Sequence, residues 1–146
     1  MVRKITQSIK LNKSAKEIFN ALIKPSMITK WWSATTAIVV PEKSGCYIVQ
    51  WGDTDHPDFV TTTIITDIEP EHMIMLNNYT YYAKKGGLPF EADLSLKFII
   101  KPQSHGCELT VINDGFPVDP IADEFFLGCT KGWEDVLNSI QIFLEG

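Results

Sequence analysis

Cys46, Cys107 and Cys129 could in principle ligate a metal, pair as disulfides or act as nucleophiles, but they stand far apart with no C-x-x-C pair. That spacing suits neither a zinc knuckle nor a disulfide framework. It reads as three small hydrophobes held in a reducing compartment. Cys129 has no histidine near it in sequence, so nothing marks it as an activated thiolate. The cluster Asp53, Asp55, His56 and Asp58 offers carboxylates and an imidazole, which suit a cation. It fails the calcium-loop pattern, because the sixth position is not glycine and the twelfth is Ile64. A solvated turn is the expectation, and no metal or other cofactor is expected. His72, beside Glu69 and Glu71, and His105 in its own turn read as surface histidines. The patterns H-E-x-x-H, G-x-S-x-G, G-x-x-x-x-G-K and G-x-G-x-x-G are absent, which removes the main support for zincin, hydrolase and nucleotide-fold readings.

What remains is the chemistry of apolar recognition. Trp31 and Trp32 are adjacent near a helix end and cannot both face the same way, so one belongs to the core and the other, expected to be Trp32, faces a pocket mouth. Trp51, Phe59, Tyr79 and Phe90 join Trp32 as candidate ligand contacts, with Tyr81 and Tyr82 nearby, since an aromatic body with a polar tip suits a pocket lining. On the last segment Phe125, Cys129 and Trp133 form one stripe and are candidates too. Gly132 sits beside them, and a mid-helix glycine costs about 1 kcal/mol relative to alanine. Close approach of a strand or of a ligand would explain it, with tight packing of a sheet as the leading explanation. Val111 and Asn113 share an inward strand face, where Asn113 could hydrogen-bond a bound carbonyl but cannot do acid–base work. Glu91, opposed to Phe90, is the remaining titratable group expected near the mouth.

These residues need elements to hold them. Residues 2–11 alternate as a strand with one buried face. Ser14-Ala15-Lys16-Glu17 is a capping box opening a short helix with the stripe Ile18, Phe19, Ala21 and Leu22. Pro25 ends that helix and opens a second, to about Trp31. A meander follows over roughly 35–40, 45–52, 58–69, 72–79, 90–101 and 106–114, with breaks rich in turn formers. Asp119-Pro120 then starts a helix to Glu145, nearly 40 Å long at about 1.5 Å per residue. The one helix able to cover the sheet arrives last, so a strongly curved sheet must wrap around it. Leu94, Leu96, Phe98, Ile100, Leu109 and Val111 point inward. The space between a curled sheet and a crossing helix is where ligand cavities form.

Composition narrows the partners. At 146 residues the chain reads as one domain over 1–146, with roughly 68–70% of its unfolded surface buried. A net charge of −5 and a single arginine, Arg3, leave little with which to grip a phosphate backbone, so nucleic acid is not expected. The start Met1-Val2-Arg3-Lys4 leads straight into alternation, and no stretch approaches 18 apolar residues. The chain reads as cytoplasmic, neither secreted nor membrane-spanning.

Several pieces in order then carry a resemblance: Glu17-Ile18-Phe19-Asn20-Ala21-Leu22, Lys30-Trp31-Trp32, Asp67-Ile68-Glu69-Pro70, the strand ending Leu109-Thr110-Val111-Ile112-Asn113-Asp114-Gly115, and Gly132-Trp133. Together they resemble the heat-shock-protein-90 ATPase activator-like branch of the START/polyketide-cyclase (SRPBCC) superfamily. The resemblance implies an α+β helix-grip (START-like) fold, with two short helices after strand 1, a curved antiparallel sheet around a long C-terminal helix, and a deep apolar pocket. The full co-chaperone carries an additional N-terminal domain, which is not expected here because the first strand begins at once. The turn Asp53-Thr54-Asp55-His56-Pro57-Asp58 is polar where many members carry a glycine-bearing stretch. A shared fold hosts binders, carriers and enzymes alike. The leading expectation is a binder of an apolar or amphipathic small molecule rather than an enzyme. The rivals are a stimulator of a heat-shock-protein-90 chaperone and a polyketide cyclase- or aromatase-like enzyme.

Overall fold

The computed structural model describes all 146 residues. The first strand, β1 (Val2–Leu11), buries Ile5 and Leu11. Ser14 then closes the capping box: its Oγ accepts from the Glu17 N–H at 3.2 Å, and the Glu17 carboxylate accepts from the Ser14 N–H at 3.2 Å. Helix α1 (Ala15–Ile23) buries its apolar stripe, and α2 (Pro25–Trp31) begins on proline. The last carbonyls of a helix have no partner within it. Here two aromatic side chains supply partners, Trp31 Nε1 donating to Ala21 O at 2.7 Å and the Tyr47 hydroxyl to Leu22 O at 2.6 Å.

Six more strands follow: β2 (Thr36–Val39), β3 (Cys46–Gly52), β4 (Pro57–Glu69), β5 (Met73–Ala83), β6 (Ser95–Pro102) and β7 (Cys107–Pro117). All pairs are antiparallel, in the order β1-β7-β6-β5-β4-β3-β2. The first and last strands thus pair at one edge, and the sheet curls around helix α3 (Asp123–Glu145).

Single-residue bulges set the curl and, more importantly, which side chains face in. Between Thr62 and Ile64 the partner on β5 changes from Thr80 to Asn77, so β5 carries one extra residue. Asn78 sits there with φ +53°, a left-handed conformation that asparagine tolerates better than most residues. Before the bulge the inward residues are Ile74 and Leu76; after it they are Tyr79 and Tyr81. On β7 the partner of β1 changes from Asn113 to Phe116 between Ile5 and Arg3. The extra residue falls at Gly115 (φ +99°), where a Cβ would lie 2.3 Å from Asp93 O. This bulge turns Phe116 into the core.

Two boundaries differ from expectation. β5 runs on to Ala83 because residues 80–83 continue to pair with β4, whereas β6 starts only at Ser95. β5 and β6 pair over Met73–Leu76 alone and then part, and residues 84–94 cross the gap as loop. The final helix also opens more tightly than expected. Asp119 accepts from the Ile121 N–H at 3.0 Å and caps a 3-10 turn (Pro120–Ala122), and α3 follows from Asp123 over 23 residues, about 35 Å.

Helix α3 lies along β1 and is tied to it by polar contacts. Gln7 Nε2 donates to Thr130 O at 2.8 Å, Gln141 Nε2 to Lys10 O at 3.3 Å, and the Glu145 carboxylate accepts from the Asn12 N–H at 3.2 Å. Arg3, the one arginine, donates to Asp123 and to Pro117 O and lies 4.3 Å over the Phe126 ring. The buried residues of α3 are Trp133, Leu137 and Ile140, from its middle to its C-terminal turns. Its first half is held at the β1–β7 edge, with Phe126 packed edge-on against Phe116 at 5.2 Å, and leaves space over the middle of the sheet.

Candidate functional site

That space is a cavity of about 810 Å³ between α3 and the concave face of the sheet, within the range of small-molecule sites, ~300–1,000 Å³. The helix contributes one face of successive turns: Phe125, Gly128, Cys129, Gly132, Trp133 and Val136. A Cβ added at Gly128 or at Gly132 would meet nothing within 4 Å. The expectation that Gly132 lets the sheet pack closely is therefore corrected. No strand approaches it, and the two glycines, one turn apart, leave bare helix backbone facing open space.

The tryptophans gather at one end. Trp31 is buried in the core and stacks on Trp32 at 4.9 Å between ring centroids. Trp32 lines the cavity and meets Trp51 edge-on at 5.3 Å and Trp133 at 5.5 Å. Trp51 Nε1 donates to Trp32 O at 2.9 Å, fixing β3 to the end of α2. Next to them Phe59, the cross-strand partner of Trp51, begins a second row in which Phe59, Tyr81 and Phe125 follow one another at 6.2 and 5.6 Å.

Asn113 is buried among these walls. Its Nδ2 donates to Ser95 O at 3.0 Å and its Oδ1 accepts from Trp133 Nε1 at 3.1 Å. Its first role is thus to hold the Trp133 indole against β6, rather than to wait for a ligand carbonyl. The Tyr79 hydroxyl is different, for it has no hydrogen-bond partner in the protein, and burial pushes its pKa far up. No buried polar side-chain atom lacks a partner, so this free hydroxyl is one that a molecule in the cavity can reach. Burial also raises the Tyr81 hydroxyl and pushes the Cys129 thiol up to about 11, and ionising Cys129 would raise both tyrosines further. The inward-facing titratable groups are therefore held neutral, which matches the reading of Cys129 as no activated nucleophile.

Of the candidate contacts, Trp32, Trp51, Phe59 and Tyr79 line the cavity, as do Asn113, Phe125, Cys129 and Trp133. Val111 and Phe90 do not. Val111 is fully buried, walled off one residue pair below Asn113, and Phe90, displaced into the loop before β6, packs edge-on against Phe125 at 5.6 Å. Glu91 lies with Asp93 and Asp114 in a separate shallow depression beside the β7 bulge. Tyr81 and Thr61 belong to the lining but were not among the candidates; for Tyr81 the missing signal was the bulge at Asn78. Asp58 was assigned to a solvated turn and instead reaches the rim, together with Glu124 and Ile121. The rest of that turn behaves as expected, Asp53 accepting from the N–H groups of Asp55 and His56 at 2.8 and 3.2 Å. No group of three or more His, Cys, Asp or Glu is placed to hold a metal, and no helix is long and apolar enough to cross a membrane.

Comparison with known proteins places this geometry. No curated protein sequence matches the chain. Protein MLL2253 from Mesorhizobium loti superposes with a TM-score of 0.78 at 17% identity, over 98% of this chain and 97% of that one. Protein Ms6760 from Mycobacterium smegmatis does so with 0.78 at 13%, over 98% and 91%. DynU16, from the dynemicin biosynthetic locus, matches with 0.76 at 15% identity, over 97% of this chain and 47% of its own. At these identities the likeness concerns the fold alone. The family model described as Activator of Hsp90 ATPase homolog 1-like protein matches residues 12–145, nearly the whole chain. With the helix-grip architecture already described, this chain belongs to the Activator of Hsp90 ATPase homolog 1-like protein family.

Proposed function

We propose that the chain binds an apolar or amphipathic small molecule in the cavity beneath α3. The observation that carries this reading is the pair Gly128 and Gly132, which keep open a wall that two ordinary side chains would close, at a cost in helix stability of about 1 kcal/mol each. Aromatic rings along the walls and the hydroxyls of Tyr79, Tyr81 and Thr61 supply the mix of broad apolar contact and sparse polar anchoring typical of such sites. Burial raises the pKa of Tyr79, Tyr81 and Cys129 further above neutral pH and keeps all three uncharged, which favours binding over the acid–base chemistry of a cyclase. Trp32, Trp51 and Trp133 line the cavity, so occupancy reads out directly in tryptophan fluorescence. A panel of lipids, polyketides and planar aromatics should contain compounds that quench this fluorescence and raise Tm, with Gly132→Leu abolishing both effects. A panel that gives neither in the parent protein refutes the reading.

The family match also favours a second reading, in which the outer surface stimulates the ATPase of a heat-shock-protein-90 chaperone. It predicts binding to the chaperone's middle segment and faster ATP turnover. Absence of both removes it.

A further inference from the structure

Charge distribution around the cavity narrows the ligand further, on the premise that the cavity binds a small molecule. No lysine, arginine or histidine lines it, and its only formally charged side chains are Asp58 and Glu124, both exposed at the rim. Neither is neutralised within the protein, because the ion pairs are Arg3–Asp123, Lys13–Glu17 and Lys131–Asp135. Lys84 pairs with Asp58 through the backbone, its N–H donating to Asp58 O at 2.9 Å, yet its ammonium forms no ion pair. Inside, the polar groups are uncharged: the Tyr79 and Tyr81 hydroxyls, the Cys129 thiol, the Thr61 hydroxyl and the Asn113 amide, the last already holding Trp133. An anionic head would thus find no counter-charge within and two like charges at the mouth. A cation meets the reverse, carboxylates at the rim and the faces of Trp, Tyr and Phe rings behind them, which attract cations through their quadrupoles.

We propose that the cavity selects an amphiphile with an apolar or aromatic body and a cationic ammonium end, the body lying beneath α3 and the ammonium at the rim between Asp58 and Glu124. An exposed ion pair is worth ~0.2–1 kcal/mol, so two carboxylates together give about fivefold tighter binding of a cation than of its neutral counterpart, and about the same factor again over an anion.

Three probes of one chain length test this: decyltrimethylammonium, 1-decanol and decanoate, titrated below their aggregation concentrations by calorimetry and tryptophan fluorescence, at low and at high salt. The expected order is ammonium over alcohol over carboxylate, compressed by salt. In the Asp58→Asn/Glu124→Gln double variant the order should collapse, while its unchanged Tm and near-ultraviolet circular dichroism show that the fold and the aromatic packing persist. Equal affinities for the three probes, or a preference for decanoate, overturn the charge selection and leave the cavity reading intact. A preference that survives the double variant overturns the role of the two carboxylates. Failure of all three probes to bind overturns this proposal, while the reading of the cavity as an apolar binding site is decided by the wider panel of lipids, polyketides and planar aromatics.

Discussion

Replacing Gly128 and Gly132 by alanine separates stability from function on one helix face. Both glycines lie inside α3 without a left-handed φ, and an added Cβ at either meets only open space. The methyl therefore brings the helix-propensity gain of alanine with no clash to offset it, about 1 kcal/mol per site, part of it through a less flexible unfolded chain. For a chain of this size each kcal/mol moves Tm by roughly 2–4 °C, so the double variant should melt about 4–8 °C higher. Thermal and urea unfolding followed by circular dichroism measure this, with the urea midpoint rising at constant m. Ligand affinity should fall or hold in the alanine variants and vanish in Gly132→Leu. A Gly132→Ala protein that is less stable than the parent by 1 kcal/mol or more would mean that something packs against the helix there. The open wall, and the binding function inferred from it, would then be wrong.

Five further outcomes follow from the same physics. Ser14→Ala removes the acceptor for the Glu17 N–H and one half of the capping box, and should cost about 1 kcal/mol in urea unfolding. Asn113→Leu leaves the Trp133 indole N–H without its partner inside the core and should cost about 1–3 kcal/mol, with a shifted tryptophan emission. Asn78→Val puts a β-branched residue at φ +53° and should destabilise by about 1–2 kcal/mol, whereas Asn78→Gly should be nearly neutral. Cys129, with its pKa raised to about 11 by burial, carries at pH 8 only about one thiolate in a thousand, so iodoacetamide should label it far more slowly than a free thiol, as peptide mapping reads. The same shift adds stability that is complete below the unfolded thiol's ordinary pKa and lost as pH rises through about 11, so unfolding should become easier on the alkaline side.

Elements announced by local chemistry were legible in the sequence: the Ser14 capping box, the Pro25 break and the Asp119 cap all depend on neighbouring residues. The division of labour between Trp31 and Trp32 was legible too, because helical geometry forbids adjacent residues a common face. What the pattern hid were effects of pairing. Strict alternation along β5 gives no reason to place Tyr79 and Tyr81 on the face of Ile74 and Leu76; only the extra residue opposite Thr62–Ile64 does so. Phe90 was misplaced because β6 starts five residues later than its sequence suggested, and Val111 because alternation gives the face but not the depth. Asp58 looked like part of a turn, and its position at the rim depends on the β3–β4 register shift at Gly52, where a Cβ would lie 2.8 Å from the Asp58 N and closer still to its carboxylate.

The cavity has two independent physical origins, and this is the strongest reason to treat it as a site rather than a packing defect. A void left by imperfect side-chain fit is lined by chance, and each such gap loses contact energy. Here the helix wall is kept low by two glycines on one face, and the sheet wall is furnished by a bulge that turns two tyrosines inward where asparagine and threonine would otherwise face. Both features run against local preference: glycine weakens the helix, and Asn78 holds a left-handed backbone inside a strand. Meanwhile the C-terminal turns of the same helix bury Leu137 and Ile140, and its N-terminal turns are held at the sheet edge through Gln7 and Arg3. The helix is thus fixed along β1 while its glycine-bearing face is left uncovered, as a binding wall requires.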